Sequence, residues 1–336
     1  MTKERQSNIE LLRIVAMFMV MILHVNLGLG VPSQEDALTQ PLSTLSRLFF
    51  ELFSIGSVNA FVLISGWFGI KPSIKRLSSF VFQCIFITWG VFIVMMISGL
   101  SPFNLKSLDE NIFVRSWFIQ AYLILYLVSP ALNYVVEHNK KTHIYMLIGL
   151  MAMEFIYDTC AMDRVFGGGY SALHFIILYL LAGYVRKYGI WSIIEKYAFV
   201  WFLVVVILFT GFRFWLVSHG YPQIHRLGQY SSPIIIFTGL CLLLGFKRIK
   251  IQSRFVNWVA ASSFAVYLLH TNPLILVPYY IKFANSIFAN HSGVAYLGLV
   301  FLYMIAWFAV SVLIDQIRII CWKKLCPVIF KQNGTD

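Results

Sequence analysis

Long uninterrupted runs of apolar residues recur along this chain and constrain its fold more than any other feature. A helix needs about 20 apolar residues to cross a hydrocarbon layer about 30 Å thick, and most of these runs approach or exceed that length. Barrel strands would instead alternate apolar and polar residues. The sequence therefore predicts an all-α, polytopic integral membrane helix bundle with about ten transmembrane helices. The predicted spans are approximately 9–29, 47–70, 77–98, 116–136, 142–157, 170–186, 195–217, 230–246, 255–280 and 294–320.

The composition indicates that lipid is the solvent of this chain. Hydrophobic residues make up 59% of it and charged residues 12%, which is about half the charged fraction of a soluble domain. The formal net charge of +12 does not indicate a nucleic-acid partner, because Lys and Arg lie between apolar runs rather than in one patch. The five cysteines form no C-x-x-C pair, so they indicate neither a zinc site nor a disulfide framework.

The connections between the apolar runs are too short to fold as domains. The longest lie around 30–46, 99–115 and 157–169. The first run superficially resembles a signal peptide, but it contains Arg13 and His24 and has no small-residue cleavage site, so we expect it to be retained as a helix. The sequence thus predicts a single membrane-embedded domain over residues 1–336, with no soluble domain.

Lys and Arg alternate between the two sets of connections, and this pattern predicts the orientation. Most of them lie in one set, which consists of the N-terminus, 71–76, 137–141, 186–196, 247–254 and the C-terminal tail. Connections on the cytoplasmic side of a membrane carry the excess of Lys and Arg. We therefore expect an even number of spans with both termini in the cytoplasm.

Two ionisable residues mark the first predicted helix. Arg13 and His24 are eleven positions apart, so at 100° per residue they share one face, separated by roughly 16 Å along the axis. Ionisable side chains within a span cost free energy and usually serve a purpose in the bundle. Arg13 alone would also fit a snorkelling interfacial anchor, and His24 would also fit a buried, hydrogen-bonded imidazole. Ahead of them, Ser7 and Glu10 form the pattern of a capping box.

The other polar residues of the spans sort by predicted depth into two groups. Carboxylates, imidazoles and one arginine populate the outer half: Glu51, Glu154, His174, Arg213 and His270. Cations populate the inner side: Arg13, Lys71, Lys75, Arg76 and Arg248. Such an axis suits a reaction whose anionic donor is cytosolic, because Arg and Lys bind phosphates and an imidazole is a natural base for a hydroxyl. For each outer residue other than His24, a structural role is at least as well supported.

Five segments in order along the chain carry a resemblance to the acyltransferase-three family of integral membrane acyltransferases. They are Asn8-Ile9-Glu10-Leu11-Leu12-Arg13 through His24, Val58–Phe68 with its Ser65-Gly66-Trp67, Trp117-Phe118 through Tyr126-Leu127 and Pro130, Phe175 through Gly183–Tyr188, and Ser262–His270. Members of this family typically O-acylate cell-surface glycans. Each segment is a weak signal alone, whereas five in sequence order form a specific match.

The resemblance implies roles for particular residues. It implies that Arg13 and His24 are essential and that acyl-CoA is the usual donor substrate. We expect no permanently bound cofactor. It also implies an Arg-rich element before the third span. Here that element is 71–76, where lysines stand at positions at which two arginines are common, so charge is kept without the bidentate fork.

The sequence and the resemblance together predict transfer of an acyl group, acetyl before other acyl chains, to a hydroxyl of an extracytoplasmic or lipid-linked cell-surface glycan. The setting would be a bacterial cytoplasmic membrane. Arg13, Lys71, Lys75 and Arg76 would hold the phosphates of acyl-CoA. His24 would deprotonate the acceptor or relay the acyl group, and Glu51 or His270 would orient the imidazole. The predicted catalytic residues are His24, Arg13, Glu51 and His270.

Two other functions also explain charges within the membrane. A transporter or flippase for a glycan lipid or polyol would do so, although no paired inverted repeat or matched broken helices are evident in the sequence. A glycan polymerase or ligase would need a larger extracytoplasmic loop than the sequence contains. Use of acyl-CoA by the purified protein separates both from the acyltransferase.

Overall fold

A computed structural model describes residues 5–100, 116–160, 166–221 and 227–330, and in these ranges the chain is helical with no β-strand. Most of the predicted connection 99–115 and part of 157–169 lie outside the described residues. The α-helices, in chain order, are α1 (Ser7–Gly28), α2 (Gln34–Thr39), α3 (Pro41–Phe68), α4 (Ile74–Ile97), α5 (Trp117–His138), α6 (Lys140–Glu154), α7 (Ala172–Tyr188), α8 (Ser192–Lys196), α9 (Ala198–Ser218), α10 (Pro233–Lys247), α11 (Arg254–Ala260), α12 (Ser263–His270), α13 (Lys282–Asn290) and α14 (Gly293–Phe330). Short π-helical segments at Phe155–Cys160 and Leu276–Ile281 and a 3₁₀ turn at Gly167–Gly169 complete the order.

Six of these helices are long and apolar enough to cross a membrane: α1, α3, α4, α5, α9 and α14. The helix α10 is apolar but shorter. The predicted membrane helix bundle is thus confirmed as an all-helical membrane architecture in the described ranges. Helix occupies most of every predicted run, while the total of about ten spans stays a prediction.

The ninth predicted run, 255–280, is not one helix. It consists of α11 and α12, which are separated by a turn, and of a π-helical segment further on. Asn272 Oδ1 accepts a hydrogen bond from the backbone N–H of Leu274 at 3.0 Å, and Pro273 between them has no N–H to continue a helix. An apolar run that looked continuous by hydropathy is therefore interrupted by local side-chain-to-backbone bonding.

The chain forms two compact units. The first contains Met1–Lys71 and Trp117–Asn257, and the second contains Pro72–Ser116 and Trp258–Asp336. In the first unit α3 is central, because α1, α2, α7, α9 and α10 all contact it. In the second unit α4, α12 and α14 contact one another, and α13 packs on α14. The prediction of a single membrane domain is untested by this division.

Glycines allow α3 to lie very close to its neighbours. A Cβ on Gly66 would lie 2.5 Å from the carbonyl oxygen of Tyr179 in α7. A Cβ on Gly56 would lie 3.1 Å from the backbone nitrogen of Gly239 in α10. Small residues at such crossings let membrane helices approach through their backbones. The Ser-Gly segment noted in the sequence therefore has a packing role at Gly66.

Specific residues determine where several helices begin and end. Pro41 starts α3, where its missing N–H costs nothing. Gly69, with φ 71°, ends the same helix in the left-handed region. Within α5, Pro130 leaves the carbonyl of Tyr126 without its helical donor, and the Ser129 hydroxyl donates to that carbonyl at 2.7 Å. This replacement accounts for an unbroken helix around an internal proline.

The short helix α2 lies between α1 and α3 and has a complete capping box. The Ser33 hydroxyl accepts from the Asp36 N–H at 3.1 Å, and Asp36 Oδ2 accepts from the Ser33 N–H at 2.8 Å. The bond from the Ser33 N–H, and after it the interaction of the Ser33 hydroxyl with the carboxylate, hold the pKa of the Asp36 carboxyl below its usual range. The predicted connection 30–46 is thus partly helical, and α3 begins before the predicted boundary at 47.

Candidate functional site

The helix α1 positions Arg13 and His24 toward its opposite ends. Arg13 forms an ion pair with Glu10, with Nη1 and Oε2 3.6 Å apart, and 39% of its side chain is exposed. His24 lies one turn before the C-terminal end of α1 and is half-buried. The two residues share an unbroken helix, so the predicted separation of roughly 16 Å along the axis holds.

The predicted capping box at Ser7 and Glu10 is wrong. Ser7 is the first residue of α1 rather than its cap, and Gln6 at the cap makes no side-chain bond. The Ser7 hydroxyl instead donates to Gln252 Oε1 at 3.2 Å and accepts from the Ser253 N–H at 3.0 Å. These contacts join the start of α1 to the segment after α10, a long-range partner that local spacing cannot reveal.

Glu51 in α3 forms an ion pair with Arg213 in α9. The distance between Oε1 and Nη1 is 2.9 Å, and the Arg213 side chain is 1% exposed. Both residues were placed in the outer half by sequence, and the structure brings them together. A buried guanidinium needs such a counter-charge, since an unpaired ion in this setting is strongly unfavourable.

His24 and Glu51 lie at similar depths on neighbouring helices. The Asn26 amide donates to the carbonyl of Arg47 at 3.1 Å, which fixes the register of the antiparallel α1–α3 pair. His24 is two residues from Asn26, and Glu51 is four from Arg47, so their levels differ by roughly 3 Å at 1.5 Å per residue. The prediction that Glu51 orients the imidazole stays a prediction.

His174 is held in a buried polar network. Its Nδ1 lies 2.9 Å from Glu154 Oε1 and its Nε2 lies 3.1 Å from Asn59 Oδ1. The Asn59 amide in turn donates to the carbonyl of Tyr230 at 2.9 Å. The His174 and Glu154 side chains are 0% and 2% exposed. Both ring nitrogens are engaged with protein oxygens, which favours the structural role left open for His174 by the sequence.

His270 belongs to the second unit, where it is the last residue of α12. It is buried, and its Nδ1–H donates to the carbonyl of Val266 at 2.6 Å. Its ring lies 5.3 Å from that of Tyr280. The hydrogen bond fixes the tautomer of the neutral imidazole, with the lone pair on Nε2. The predicted chemical role of His270 stays a prediction.

The predicted phosphate-binding residues divide between the units. Lys71 ends the first segment of the first unit, while Lys75 and Arg76 lie in the first turn of α4 in the second unit. All three are exposed. Ser73 caps α4 by accepting from the N–H of Arg76 at 3.3 Å. Arg13 and the segment ending at Lys71 both lie in the first unit.

Two residues that sequence reasoning missed hold the chain immediately before Lys71. The Tyr179 hydroxyl accepts from the Ile70 N–H at 2.8 Å and donates to Asn133 Oδ1 at 2.5 Å. The Asn133 amide donates to the carbonyl of Ile70 at 2.7 Å. Tyr179 and Asn133 are visible in the sequence as polar side chains within two apolar spans. Their spacing, however, does not show that both bind the backbone of Ile70.

Comparison with known proteins adds one finding that bears on function. The family model described as an acyltransferase domain, that of the acyltransferase-three family, matches residues 6–316. The chain belongs to the acyltransferase-three family. No curated protein and no solved structure matches it.

Membership in the acyltransferase-three family assigns a general activity and a setting. The chain is an acyltransferase, and its apolar helices make it a membrane protein. The matched region includes all the residues proposed from sequence, from Arg13 and His24 to His270. The roles of those residues stay predictions.

Proposed function

We propose that this acyltransferase transfers an acyl group, acetyl in the first instance, from cytosolic acyl-CoA to a hydroxyl of an extracytoplasmic or lipid-linked cell-surface glycan. The observation that carries the proposal is the arrangement along α1. A partly exposed cation, Arg13, lies toward one end, and a half-buried imidazole, His24, lies toward the other. A donor extended along this helix would present its phosphates to Arg13 and its thioester to His24.

Two reaction sequences fit an imidazole at this position. In the first, His24 takes the proton of the acceptor hydroxyl, and the oxygen attacks the thioester carbonyl. The C–S bond breaks, and the CoA thiolate leaves with the proton that His24 returns. In the second, a His24 ring nitrogen attacks the thioester carbonyl, the C–S bond breaks, and CoA leaves as the thiol with the proton that the imidazole gives up. The acceptor hydroxyl then attacks the acyl group, the C–N bond breaks, and the hydroxyl proton passes to the His24 nitrogen that is released. Both use an imidazole nitrogen that can accept a proton or attack a carbonyl carbon.

The proposed setting is a bacterial cytoplasmic membrane, with about ten spans and both termini in the cytoplasm, as the Lys and Arg pattern indicates. In this orientation Arg13, Lys71, Lys75 and Arg76 would face the cytosolic donor. His24 and Glu51 would lie toward the acceptor. The bilayer is the surrounding partner, and a single membrane-embedded domain would carry out the whole reaction.

The decisive experiment uses purified protein in proteoliposomes, labelled acetyl-CoA and a lipid-linked glycan fraction. We expect release of free CoA thiol and transfer of label to glycan, both dependent on the protein. A matched sample with His24→Gln controls for spontaneous thioester hydrolysis. Intact protein that neither binds nor consumes acetyl-CoA would contradict the proposal. Glycan movement across the bilayer without use of acetyl-CoA would favour the transporter instead.

A further inference from the structure

Three aromatic rings meet at one end of the first unit. The ring centroid of Trp117 lies 4.5 Å from that of Tyr170 and 5.6 Å from that of Tyr230, and the two tyrosine rings are 4.9 Å apart. Trp117 begins α5, Tyr170 precedes α7 and Tyr230 precedes α10. Three different segments of the chain therefore contribute one ring each to a single aromatic platform.

One ring of the aromatic platform is open. Tyr170 is 51% exposed, whereas Tyr230 is 6% exposed. The Tyr170 ring lies against the buried ring of Tyr230, with centroids 4.9 Å apart, and its hydroxyl interacts electrostatically with Glu51. A large aromatic surface is thus left uncovered on a residue whose polar end is already engaged.

A buried ion pair lies against the chain that carries Tyr230. A Cβ on Gly228 would lie 3.0 Å from Arg213 Nη1 and 3.5 Å from Glu51 Oε1, so Gly228 covers the pair closely. The Arg213 side chain is 1% exposed, and its Nε has no hydrogen-bond partner among the described residues. The Glu51 side chain is 20% exposed, so the carboxylate is the member of the pair that a ligand can reach.

Hydrogen bonds and close backbone contacts hold the aromatic platform in place. Asn59, tied to His174 and Glu154, donates to the carbonyl of Tyr230 at 2.9 Å. A Cβ on Gly169 would lie 2.6 Å from the Cβ of Tyr230, so the segments that carry the two tyrosines touch. A preformed surface binds a ligand without first losing the entropy of ordering itself.

We propose that Trp117, Tyr170 and Tyr230, with Glu51 and Arg213 beside them, form the subsite that holds the acceptor sugar as a pyranose ring. The apolar C–H face of the sugar lies on Tyr170 and a hydroxyl donates to Glu51, while Arg213, 1% exposed, balances the charge of that carboxylate from a covered position. The inference rests on the proposed function for the identity of the ligand. It goes further by naming the residues and by requiring a ring with an apolar face.

The chemistry of the site favours a sugar over a flexible polyol. Concave sites combine apolar and aromatic walls with a few placed polar groups, and the aromatic platform beside one ion pair has this composition. A linear polyol offers hydroxyls but no flat face. The position also suits transfer, because Glu51 lies at nearly the same depth as His24 on the neighbouring helix.

Saturation-transfer NMR on protein in a sugar-free detergent tests the inference without any donor present. The probes are methyl β-glucopyranoside and methyl N-acetyl-β-glucosaminide, with sorbitol as the linear polyol. We expect transfer to both pyranosides, strongest at the axial protons of one face, and little to sorbitol. We expect Tyr170→Ala to weaken pyranoside binding about tenfold, in line with the strength of an aromatic contact.

Two further variants complete the design. Tyr170→Phe keeps the ring and should retain affinity within about threefold. The matched control is Tyr221→Ala, because Tyr221 is 53% exposed in the same unit but lies outside the aromatic platform. Should Tyr170→Ala not fold, Tyr170→Leu preserves apolar volume while removing the flat face.

The outcomes separate the two proposals. Absent pyranoside binding, or binding that Tyr170→Ala and Tyr170→Leu leave unchanged, overturns the aromatic subsite even if glycan acetylation is found. Pyranoside binding that depends on Tyr170, together with no use of acetyl-CoA, supports the subsite and overturns the proposed transfer reaction. Equal binding of sorbitol and the pyranosides would also contradict the inference, because it would show that stacking is not involved.

Discussion

His24, the proposed general base, lies one turn before the C-terminal end of α1 and is only half-buried. We predict that His24→Gln inserts and folds normally, retains acyl-CoA binding and loses glycan acylation by roughly 100- to 10,000-fold, because glutamine cannot accept a proton at neutral pH. The measurement is transfer of labelled acetyl at equal protein level.

The matched control for His24→Gln is His138→Gln. His138 is exposed at the end of α5, and its Nδ1 lies 3.2 Å from the carbonyl of Tyr134. The substitution His138→Gln should leave the rate of acetyl transfer unchanged. If His24→Gln keeps more than about a tenth of the transfer rate, His24 is structural. His270 would then be the next candidate, since both ring nitrogens of His174 already meet oxygens.

Arg13 has a side chain that is open enough to meet a ligand, despite its ion pair with Glu10. We predict that Arg13→Ala weakens acyl-CoA binding about 10- to 100-fold, the range of a lost charge-assisted hydrogen bond, with little effect on thermal stability. The acyl-CoA affinity of Arg13→Lys should lie between those of the unmodified protein and Arg13→Ala, because lysine keeps the charge without the planar fork. Isothermal titration with acetyl-CoA measures the affinity of both variants.

A basic residue outside the proposed site controls for net charge. Arg5 donates to the carbonyl of Asn257 at 3.3 Å and lies just before α1. Arg5→Ala removes one positive charge and should bind acetyl-CoA as the unmodified protein does. Normal binding by Arg13→Ala would reduce Arg13 to an interfacial anchor.

Sequence reasoning found most of the polar residues of the membrane helices but few of their partners. It placed Glu51 and Arg213 at similar depth, which follows from counting residues along helices. It could not pair them, because pairing depends on which helices become neighbours. Asn59 and Tyr179 were missed for the same reason: a single polar side chain in an apolar run gives no sign of its function until its partner is known.

At the scale of the helix, α3 depends on glycine at its crossings. We predict that Gly66→Ala lowers stability by about 1–3 kcal/mol or more, because its Cβ would lie 2.5 Å from a backbone oxygen of α7. The clash involves backbone, so a rotamer change cannot relieve it. The thermal unfolding midpoint in detergent measures the effect.

The helix α9 provides the control for Gly66. A Cβ on Gly211 would meet nothing within 4 Å, so Gly211→Ala should be neutral or stabilise the protein by up to about 1 kcal/mol through helix propensity. Equal midpoints for the two variants would show that the α3–α7 crossing has room to relax.

Helix existence was predictable here, whereas continuity and ends were not. The long apolar runs are helical in the described residues, and six of the helices are long and apolar enough to span a bilayer, which leaves few other choices of structure. The break in the ninth run was missed because hydropathy does not register the turn at Asn272 and Pro273. The helix α3 begins at Pro41, before the predicted boundary at 47. Proline favours the first position of a helix, but the polar residues around Pro41 placed it outside the predicted apolar run.

For the whole molecule, the orientation prediction can be tested in the first unit. Gln252 contacts Ser7 at the start of α1, and Gln34 donates to the carbonyl of Ser218 beyond the other end of that helix. We predict that reporters fused at Gln34 and Gln252 lie on opposite sides of the membrane, with Gln252 in the cytoplasm.

A third fusion checks the alternation. Asn139 lies between α5 and α6, in a connection rich in Lys, and a reporter there should match the one at Gln252. Reporters at Gln34 and Gln252 on the same side would overturn the orientation, and a mismatch at Asn139 would show that the number of spans between them differs from the prediction.

The central position of α3 also affects when its contacts can form during synthesis of the chain. Asn59 bonds with His174, 115 residues later, and with Tyr230, 171 residues later. At about 5–20 residues per second, Asn59 therefore waits roughly 6 to 34 s after its own synthesis for these partners to be made. During that interval its amide and the Glu51 carboxylate lack the contacts described here. A nascent chain interrupted before α7 would leave both groups without these partners, so the chain reaches its stable form late in its synthesis.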